Sequence, residues 1–178
     1  SRVMTLGDRV ICVSHGVSDY VREHYGTHEN IIRVIHRGVD LSLFDPAKID
    51  RASVDLMRRE LGLQERFVVS LVGRITPLKD HPSFIRAVGL LSQGRPVRGL
   101  IVGSAQPGKE TYLRELRQLV KDLNLSDVIR FVPGTEEIGQ IYALSDVVVS
   151  SSIKPESFGR TAVEAMAMNT PVVGTNHG

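Results

Sequence analysis

Short apolar runs alternate with longer amphipathic segments along most of the chain. The run from Phe67 to Val72 is apolar except at Ser70, and a continuous apolar pattern indicates a strand buried on both faces. The segment from Glu110 to Leu123 has apolar residues at helical spacing, which predicts a helix with one buried face. Repetition of this order predicts an α/β fold with a doubly wound, parallel, Rossmann-like sheet.

Turn and capping residues set the expected limits of each element. Ser14 is a good N-cap, Gly62 ends a helix, and Asn169 suits a left-handed helix cap. The pattern predicts strands at residues 9–13, 31–35, 67–72, 99–102, 128–132, 146–149 and from 171, and helices at residues 16–25, 52–61, 82–91, 110–123, 137–144 and 158–168.

Turn residues cluster between Gly38 and Gly62, which indicates a boundary between parts of the chain. We interpret residues 1–38 as the end of a preceding domain or an interdomain segment and residues 39–64 as a hinge. Residues 65–178 form the main domain, which we expect to be truncated at its C-terminus.

Composition narrows the class of protein. The 178 residues are 42% hydrophobic and 24% charged, as in globular domains and unlike disordered chains. The net charge is only +2 and no basic stripe is evident, so we expect no nucleic-acid partner. No apolar run approaches the roughly 20 residues that span a bilayer. The single cysteine, Cys12, fits a reducing compartment, and we expect a cytoplasmic protein.

One glycine-rich loop is close to a phosphate-binding P-loop. Gly103, Gly108 and Lys109 have the required spacing between a strand and a helix. Glu110 occupies the position that needs Ser or Thr, and its carboxylate would repel phosphates. We therefore interpret this segment as an ordinary loop.

Two cations follow the buried strand that ends at Val72. Gly73 permits close approach of a ligand to the backbone, and Arg74 and Lys79 could bind the two phosphates of a diphosphate. The alternative is a solvated loop with two surface cations. In doubly wound sheets ligands bind beyond the carboxyl ends of the strands, where this segment is expected.

Two glutamates stand eight positions apart near the C-terminus. Glu164 lies in a helix that is apolar nearly all round, so its carboxylate needs donors, which a ribose diol could supply. Glu156 precedes the helix, where a sugar could be bound, and the amides of residues 158–160 are suited to a phosphate. The alternative is a core helix in which Glu164 pairs with an arginine and Glu156 is solvated.

Taken together, these motifs resemble the donor-binding half of family 4 retaining glycosyltransferases, the group 1 glycosyltransferases with the GT-B fold. The resemblance extends from about residue 30 to the end of the chain. Residues 155–160 and the ending His177-Gly178 look most like envelope polysaccharide or lipopolysaccharide-core transferases of bacteria. The matching stretches are Val72-Gly73-Arg74 with Lys79, Phe131-Val132-Pro133-Gly134, and Pro155-Glu156 with Phe158-Gly159-Arg160 and Glu164.

The resemblance implies binding of a nucleoside-diphosphate sugar and transfer of a hexosyl-type sugar with retention. Arg74 and Lys79 would hold the diphosphate, Glu164 the ribose and Glu156 the sugar, while segments near Gly103 and Val132-Pro133 would form walls around the base. The implied catalytic residues are Arg74, Lys79 and Glu156. The implied donor-binding residues are Gly73, Arg74, Lys79, Gly103, Val132, Pro133, Glu156, Ser157, Phe158, Gly159, Arg160 and Glu164.

In this family the acceptor pocket lies in an N-terminal domain. A glycan or lipid acceptor, and any contact with the inner face of the cytoplasmic membrane, would therefore require the full-length protein, and we expect this chain to be inactive alone. No Asp-x-Asp tripeptide occurs, so we expect no metal and no other cofactor. His177 follows the last predicted strand near the expected phosphate site.

Two alternatives belong to other classes of function. The first is a GT-B nucleotide-sugar epimerase, which shares the layout but not the spacing of the two glutamates. The second is a non-catalytic nucleotide-binding α/β module. Binding of a nucleotide sugar would favour the transferase over a domain that binds no nucleotide.

Overall fold

The computed structural model describes residues 5–176. These residues form two compact units, one of residues 5–38, 154–159 and 176 and a larger one of residues 39–153 and 160–175. The elements are β1 Val10–Cys12, α1 His15–Tyr25, β2 Ile32–Val34, α2 Arg51–Glu60, β3 Phe67–Val72, α3 His81–Ser92, β4 Val97–Val102, α4 Glu110–Asp122, β5 Ile129–Val132, α5 Ile138–Leu144, β6 Val147–Ser150, α6 Arg160–Ala167 and β7 Val172–Gly174.

The smaller unit contains a parallel pair of strands, β1 and β2, and the helix α1. As predicted, Ser14 caps α1, and its Oγ accepts a hydrogen bond from the Val17 amide at 3.2 Å. Cys12 is buried among the apolar residues of this unit, and burial raises the pKa of its thiol. A thiol held in its neutral form packs as a small apolar side chain.

The larger unit contains a five-stranded sheet in the order β5-β4-β3-β6-β7, and every pair of neighbouring strands is parallel. Along β3, Val69 and Leu71 face a core formed with α3 and α4, whereas Val68 and Val72 face α2, α5 and α6. Helices therefore cover both faces of the sheet. The predicted doubly wound α/β fold is confirmed.

The central strand β3 is almost completely buried. Val68, Val69, Leu71 and Val72 are all at most 7% exposed. Each fully buried aliphatic side chain stabilises the fold by roughly 1.5–3 kcal/mol relative to an exposed one. The strand β3 is thus a fixed platform from which the following residues emerge.

Every predicted element limit agrees with the structure within two residues, and one of these small differences concerns the expected site. The helix predicted from residue 158 begins at Arg160, because Gly159 has a φ of 76° and cannot belong to a right-handed helix. The amides of Phe158 and Gly159 therefore precede the helix instead of belonging to its first turn. At the other end, Asn169 has a φ of 58°, which confirms the predicted left-handed cap.

One buried titratable group was not expected. His81 begins α3, is fully buried, and its ring meets that of Tyr112 edge-on with centroids 6.0 Å apart. Within residues 5–176 neither ring nitrogen has a hydrogen-bond partner. Burial lowers the pKa of His81 from 6.5 to about 4, and the backbone of Thr76, which lies near the ring but outside good hydrogen-bond geometry, opposes this shift only in part.

We expect this histidine to make the fold sensitive to acid. Between pH 6.5 and about 4 the unfolded chain takes up a proton that the folded ring excludes, so stability is complete above pH 6.5 and is lost as the pH falls. At about 1.36 kcal/mol per pKa unit, the loss approaches about 3 kcal/mol. Urea denaturation of the wild type and of His81→Leu at pH 7 and pH 4 measures this loss of unfolding free energy. Equal losses of unfolding free energy in both proteins would contradict the prediction.

Candidate functional site

The carboxyl ends of the strands define a crevice in the larger unit. β3 has β4 on one side and β6 on the other, so the connections leave the sheet in opposite directions at this point. Ligands of doubly wound sheets bind at such a switch point. Gly73 directly follows β3, Gly103 follows β4, Val132 ends β5 and Ser151 follows β6. Three of these four are predicted site residues.

Gly73 and Gly103 bring two backbones into contact at this edge. Gly103 has a φ of 154°, and a β-carbon there would collide with the carbonyl of Gly73. The strand ladder also continues past the strands, since the Gly73 amide donates to the Val102 carbonyl and the Gly103 amide to the Val132 carbonyl, both at 2.9 Å. Only glycine fits position 103 without moving the end of β3.

Lys79 lies against this glycine edge. A β-carbon at Gly73 would come within 3.3 Å of Lys79 Cε and 3.7 Å of its Nζ. The short 3₁₀ turn Pro77–Lys79 is tied to the end of β6, because the Ser151 hydroxyl donates to the Lys79 carbonyl at 2.7 Å. The structure therefore places the Lys79 ammonium beside Gly73, and Arg74 is exposed on the same loop.

A cavity of about 210 Å³ opens beyond β4 and β5. Two of its lining residues stack on each other, with the Arg117 guanidinium 5.7 Å from the centroid of the Phe131 ring. The predicted base-binding segments thus line one cavity, whose mainly apolar walls also carry the Arg117 cation and the Glu110 carboxylate. Its lining includes Ile75, Gly103, Arg117, Phe131, Val132 and Pro133.

The loop that resembles a P-loop is closed by its own acid. Glu110 Oε1 accepts a hydrogen bond from the Gly108 amide at 2.9 Å. Hydrogen bonds from its own amide and from that of Gly108 lower the pKa of Glu110. A carboxylate therefore occupies the position where a P-loop would bind phosphate, in agreement with the sequence interpretation.

Glu164 forms the ion pair that the structural alternative predicted. The carboxylate of this 7% exposed residue accepts a hydrogen bond from Arg160 Nη2 at 3.0 Å on Oε1. Its other oxygen, Oε2, accepts one from the hydroxyl of Tyr142 at 2.8 Å. Each carboxylate oxygen can accept a second hydrogen bond, so the group keeps acceptor capacity.

The remaining predicted residues belong to the smaller unit. Glu156, Ser157, Phe158 and Gly159 lie in the segment 154–159, of which Glu156, Phe158 and Gly159 are partly buried and Ser157 is exposed. Within the larger unit, three groups of predicted residues lie close together. They are Gly73 with Lys79, Gly103 with Val132 and Pro133, and Arg160 with Glu164. His177 lies outside the described residues.

Comparison with known proteins decides the family. The family model described as "Glycosyl transferases group 1" matches residues 53–178, and the model described as "Glycosyltransferase Family 4" matches residues 1–43. The chain belongs to the group 1 glycosyl transferases. The resemblance to group 1 glycosyltransferases that the motifs indicated is thereby confirmed.

Relatives of known structure share the fold. A glycosyltransferase from Rickettsia africae superposes with a TM-score of 0.90 at 29% identity, covering 99% of this chain and 46% of that one. Anabaena HepE in complex with UDP-glucose gives a TM-score of 0.87 at 30% identity, covering 99% of this chain and 47% of that one. Both comparisons support one half of a GT-B glycosyltransferase.

Curated relatives are longer than this group 1 chain. A D-inositol 3-phosphate glycosyltransferase from Salinispora arenicola is 33% identical over 97% of this chain. One from Rhodococcus opacus is 34% identical over 99%. In both cases the chain spans 40% of the relative's length.

Sequence reasoning missed several groups around the site. It named Arg160 for its backbone amide, whereas the structure shows its side chain on Glu164. It did not predict Tyr142 or the stack of Arg117 on Phe131, because no local spacing links these residues to the motifs. Among the described helices, none is long and apolar enough to span a membrane.

Proposed function

We propose that this chain is the donor-binding part of a retaining glycosyltransferase that transfers a sugar from a nucleoside-diphosphate sugar. The observation that carries the proposal is the edge at the ends of β3, β4 and β5, where Lys79 lies beside Gly73 and the 210 Å³ cavity follows Gly103. Diphosphate and base would lie side by side along this edge. The presence of UDP-glucose in Anabaena HepE supports a donor of this class.

The chemical step needs positive charge at the leaving group. Cleavage of the glycosyl-phosphate bond leaves negative charge on the departing diphosphate, and preorganised cations at that position lower the barrier. The backbone of Lys79 is held by the hydrogen bond from Ser151 to its carbonyl, and Arg74 is exposed on the same loop with a planar set of donors. These two residues would supply the charge. We propose chemistry without a metal, with Glu156 binding the transferred sugar.

Glu164 would bind the ribose through the acceptor positions that Tyr142 and Arg160 leave available. The ion pair with Arg160 does not prevent this role, because the Arg160 side chain is 65% exposed and can move aside. A buried carboxylate that retains one fixed donor, Tyr142, is a suitable acceptor for two neighbouring hydroxyls.

Replacing Glu164 with glutamine tests this role. We expect nucleotide affinity to fall about tenfold, because the amide replaces a charged acceptor and weakens hydrogen bonds from the ribose. Calorimetric titration with UDP measures the affinity, and thermal unfolding checks the fold. A change in stability with unaltered affinity would make Glu164 a structural ion-pair member only.

The whole protein would transfer the sugar to a glycan or lipid acceptor bound by the remainder of the longer relatives' length. The lipopolysaccharide-core type, the cytoplasmic location and the association with the membrane remain predictions. The epimerase is not favoured, since the family matched is that of glycosyl transferases. The non-catalytic nucleotide-binding module is not favoured for the same reason.

Calorimetry on the full-length protein tests the proposed function. UDP, GDP and ADP and their glucose derivatives are titrated in turn, with and without EDTA. Micromolar binding of one nucleotide sugar, unchanged by EDTA, is the expected result. Failure of every nucleotide sugar to bind to folded protein would contradict the proposal.

A further inference from the structure

A phenol lies beneath the Glu164 carboxylate. Tyr142, on α5, is fully buried, and its hydroxyl donates to Glu164 Oε2 at 2.8 Å. Burial, and secondarily the hydrogen bond to Glu164, raise the pKa of this phenol above its ordinary value. The hydroxyl therefore stays protonated at physiological pH and always acts as the donor of this bond.

The two partners of the carboxylate differ in exposure. Tyr142 approaches Oε2 from the core, whereas Arg160 approaches Oε1 with a side chain that is 65% exposed. A partly solvated ion pair contributes little, since water competes for both ions. The buried hydroxyl has no such competitor. The carboxylate is thus held firmly by the phenol and only loosely by the arginine.

Tyr142 itself is held by its surroundings. Its backbone carbonyl accepts a hydrogen bond from Thr170 Oγ1 at 2.8 Å, and its ring packs against Phe44 with centroids 6.1 Å apart. The backbone of Tyr142 and one side of its ring are therefore held in place, and Glu164 Oε2 is the acceptor toward which its O–H bond points. An acceptor held in this way is preorganised, because it loses little further freedom when a ligand binds.

We propose that Tyr142 is a positioning residue of the donor site, holding the Glu164 carboxylate so that its remaining acceptor positions receive the two ribose hydroxyls of the nucleotide. The inference rests on the proposed function, because it needs a ribonucleotide at this site. Without the phenolic hydroxyl, Arg160 is the one side chain of residues 5–176 that still binds the carboxylate, and the carboxylate follows Arg160 toward solvent. The affinity for ribose hydroxyls then decreases although Glu164 is still present.

The experiment compares a ribonucleotide with its analogue lacking both hydroxyls. UDP and 2′,3′-dideoxy-UDP are titrated into full-length wild type and Tyr142→Phe, and the GDP pair replaces them if GDP binds more tightly. We expect the wild type to prefer UDP by at least about tenfold, as for a hydrogen bond to a charged group. In Tyr142→Phe this preference should fall to within about threefold, with the affinity for dideoxy-UDP unchanged.

A matched control separates positioning from packing. Phe44→Leu alters the apolar contact of the Tyr142 ring but leaves its hydroxyl, so it should keep the wild-type preference. A purely structural tyrosine would weaken both nucleotides equally in Tyr142→Phe and leave their ratio unchanged. That unchanged ratio in a folded variant overturns the inference.

A measurement on the wild type covers the case in which Tyr142→Phe does not fold. The buried phenolic proton gives a slowly exchanging NMR signal, which we expect to shift with UDP and to stay in place with dideoxy-UDP. Equal shifts with both ligands overturn the inference. It is also overturned if the wild type binds UDP and dideoxy-UDP with equal affinity. Both outcomes leave the proposed function intact. Binding of no nucleoside diphosphate overturns the proposed function and this inference together.

Discussion

Replacing Arg74 with alanine in the complete enzyme is expected to lower kcat by a factor of about 100 to 1,000, the usual cost of removing one preorganised group that stabilises transition-state charge. Arg74 follows Gly73 at the end of β3 and is exposed, so its loss leaves the core intact. The effect should therefore appear in the rate and not in the thermal unfolding midpoint. Initial-rate kinetics with a saturating sugar donor measure it.

Arg86→Ala is the matched control for this variant. Arg86 is also exposed and lies on α3, away from the ends of the strands. It carries the same charge, so a general electrostatic effect of losing one cation would appear in both variants. Turnover close to that of the wild type in Arg74→Ala would remove Arg74 from the catalytic residues.

The second large effect concerns Gly103. Gly103→Ala should lower the free energy of unfolding by about 2–4 kcal/mol, because the new methyl group meets the Gly73 carbonyl and the backbone must move. Nucleotide affinity should fall as well, since Gly73 and the cavity beyond β4 are displaced together. Urea denaturation and calorimetry with UDP measure the two effects.

Gly134→Ala provides the comparison. A β-carbon at Gly134 would have Ser104 Oγ as its nearest atom, at 3.4 Å, and the position has no positive φ. We expect the free energy of unfolding of this variant to lie within about 1 kcal/mol of that of the wild type. If Gly103→Ala were equally stable, the close approach of the two backbones would not be a constraint on the fold.

The sequence was sufficient to predict the fold because burial leaves a direct pattern. The apolar run Phe67–Val72 proved to be the central strand, with the bounds predicted. Capping residues were equally informative, as Ser14 and Asn169 show. The error at α6 arose from Gly159, because a glycine permits both helical and left-handed conformations and sequence alone does not choose between them.

The site was only partly predictable. Residues that directly follow strands, such as Gly73 and Gly103, could be placed at one edge by topology. The partners of Glu164 could not be chosen, because Tyr142 comes from another helix and lies 22 positions away in sequence. From the sequence, Glu164 was either a ribose ligand or the partner of an arginine. These two roles do not exclude each other, because an exposed arginine can pair with a carboxylate that also retains acceptor capacity.

The contact between Gly73 and Gly103 limits how this domain could be redesigned. Gly103 cannot accept a larger residue without displacing the end of β3, whereas at Gly73, with a φ of 144°, a side chain would be strained and would meet the Lys79 side chain. A combinatorial library intended to change base preference should therefore keep both glycines fixed. Diversity belongs instead at Arg117 and Phe131, which line the cavity and stack on each other, so the two positions should be varied together.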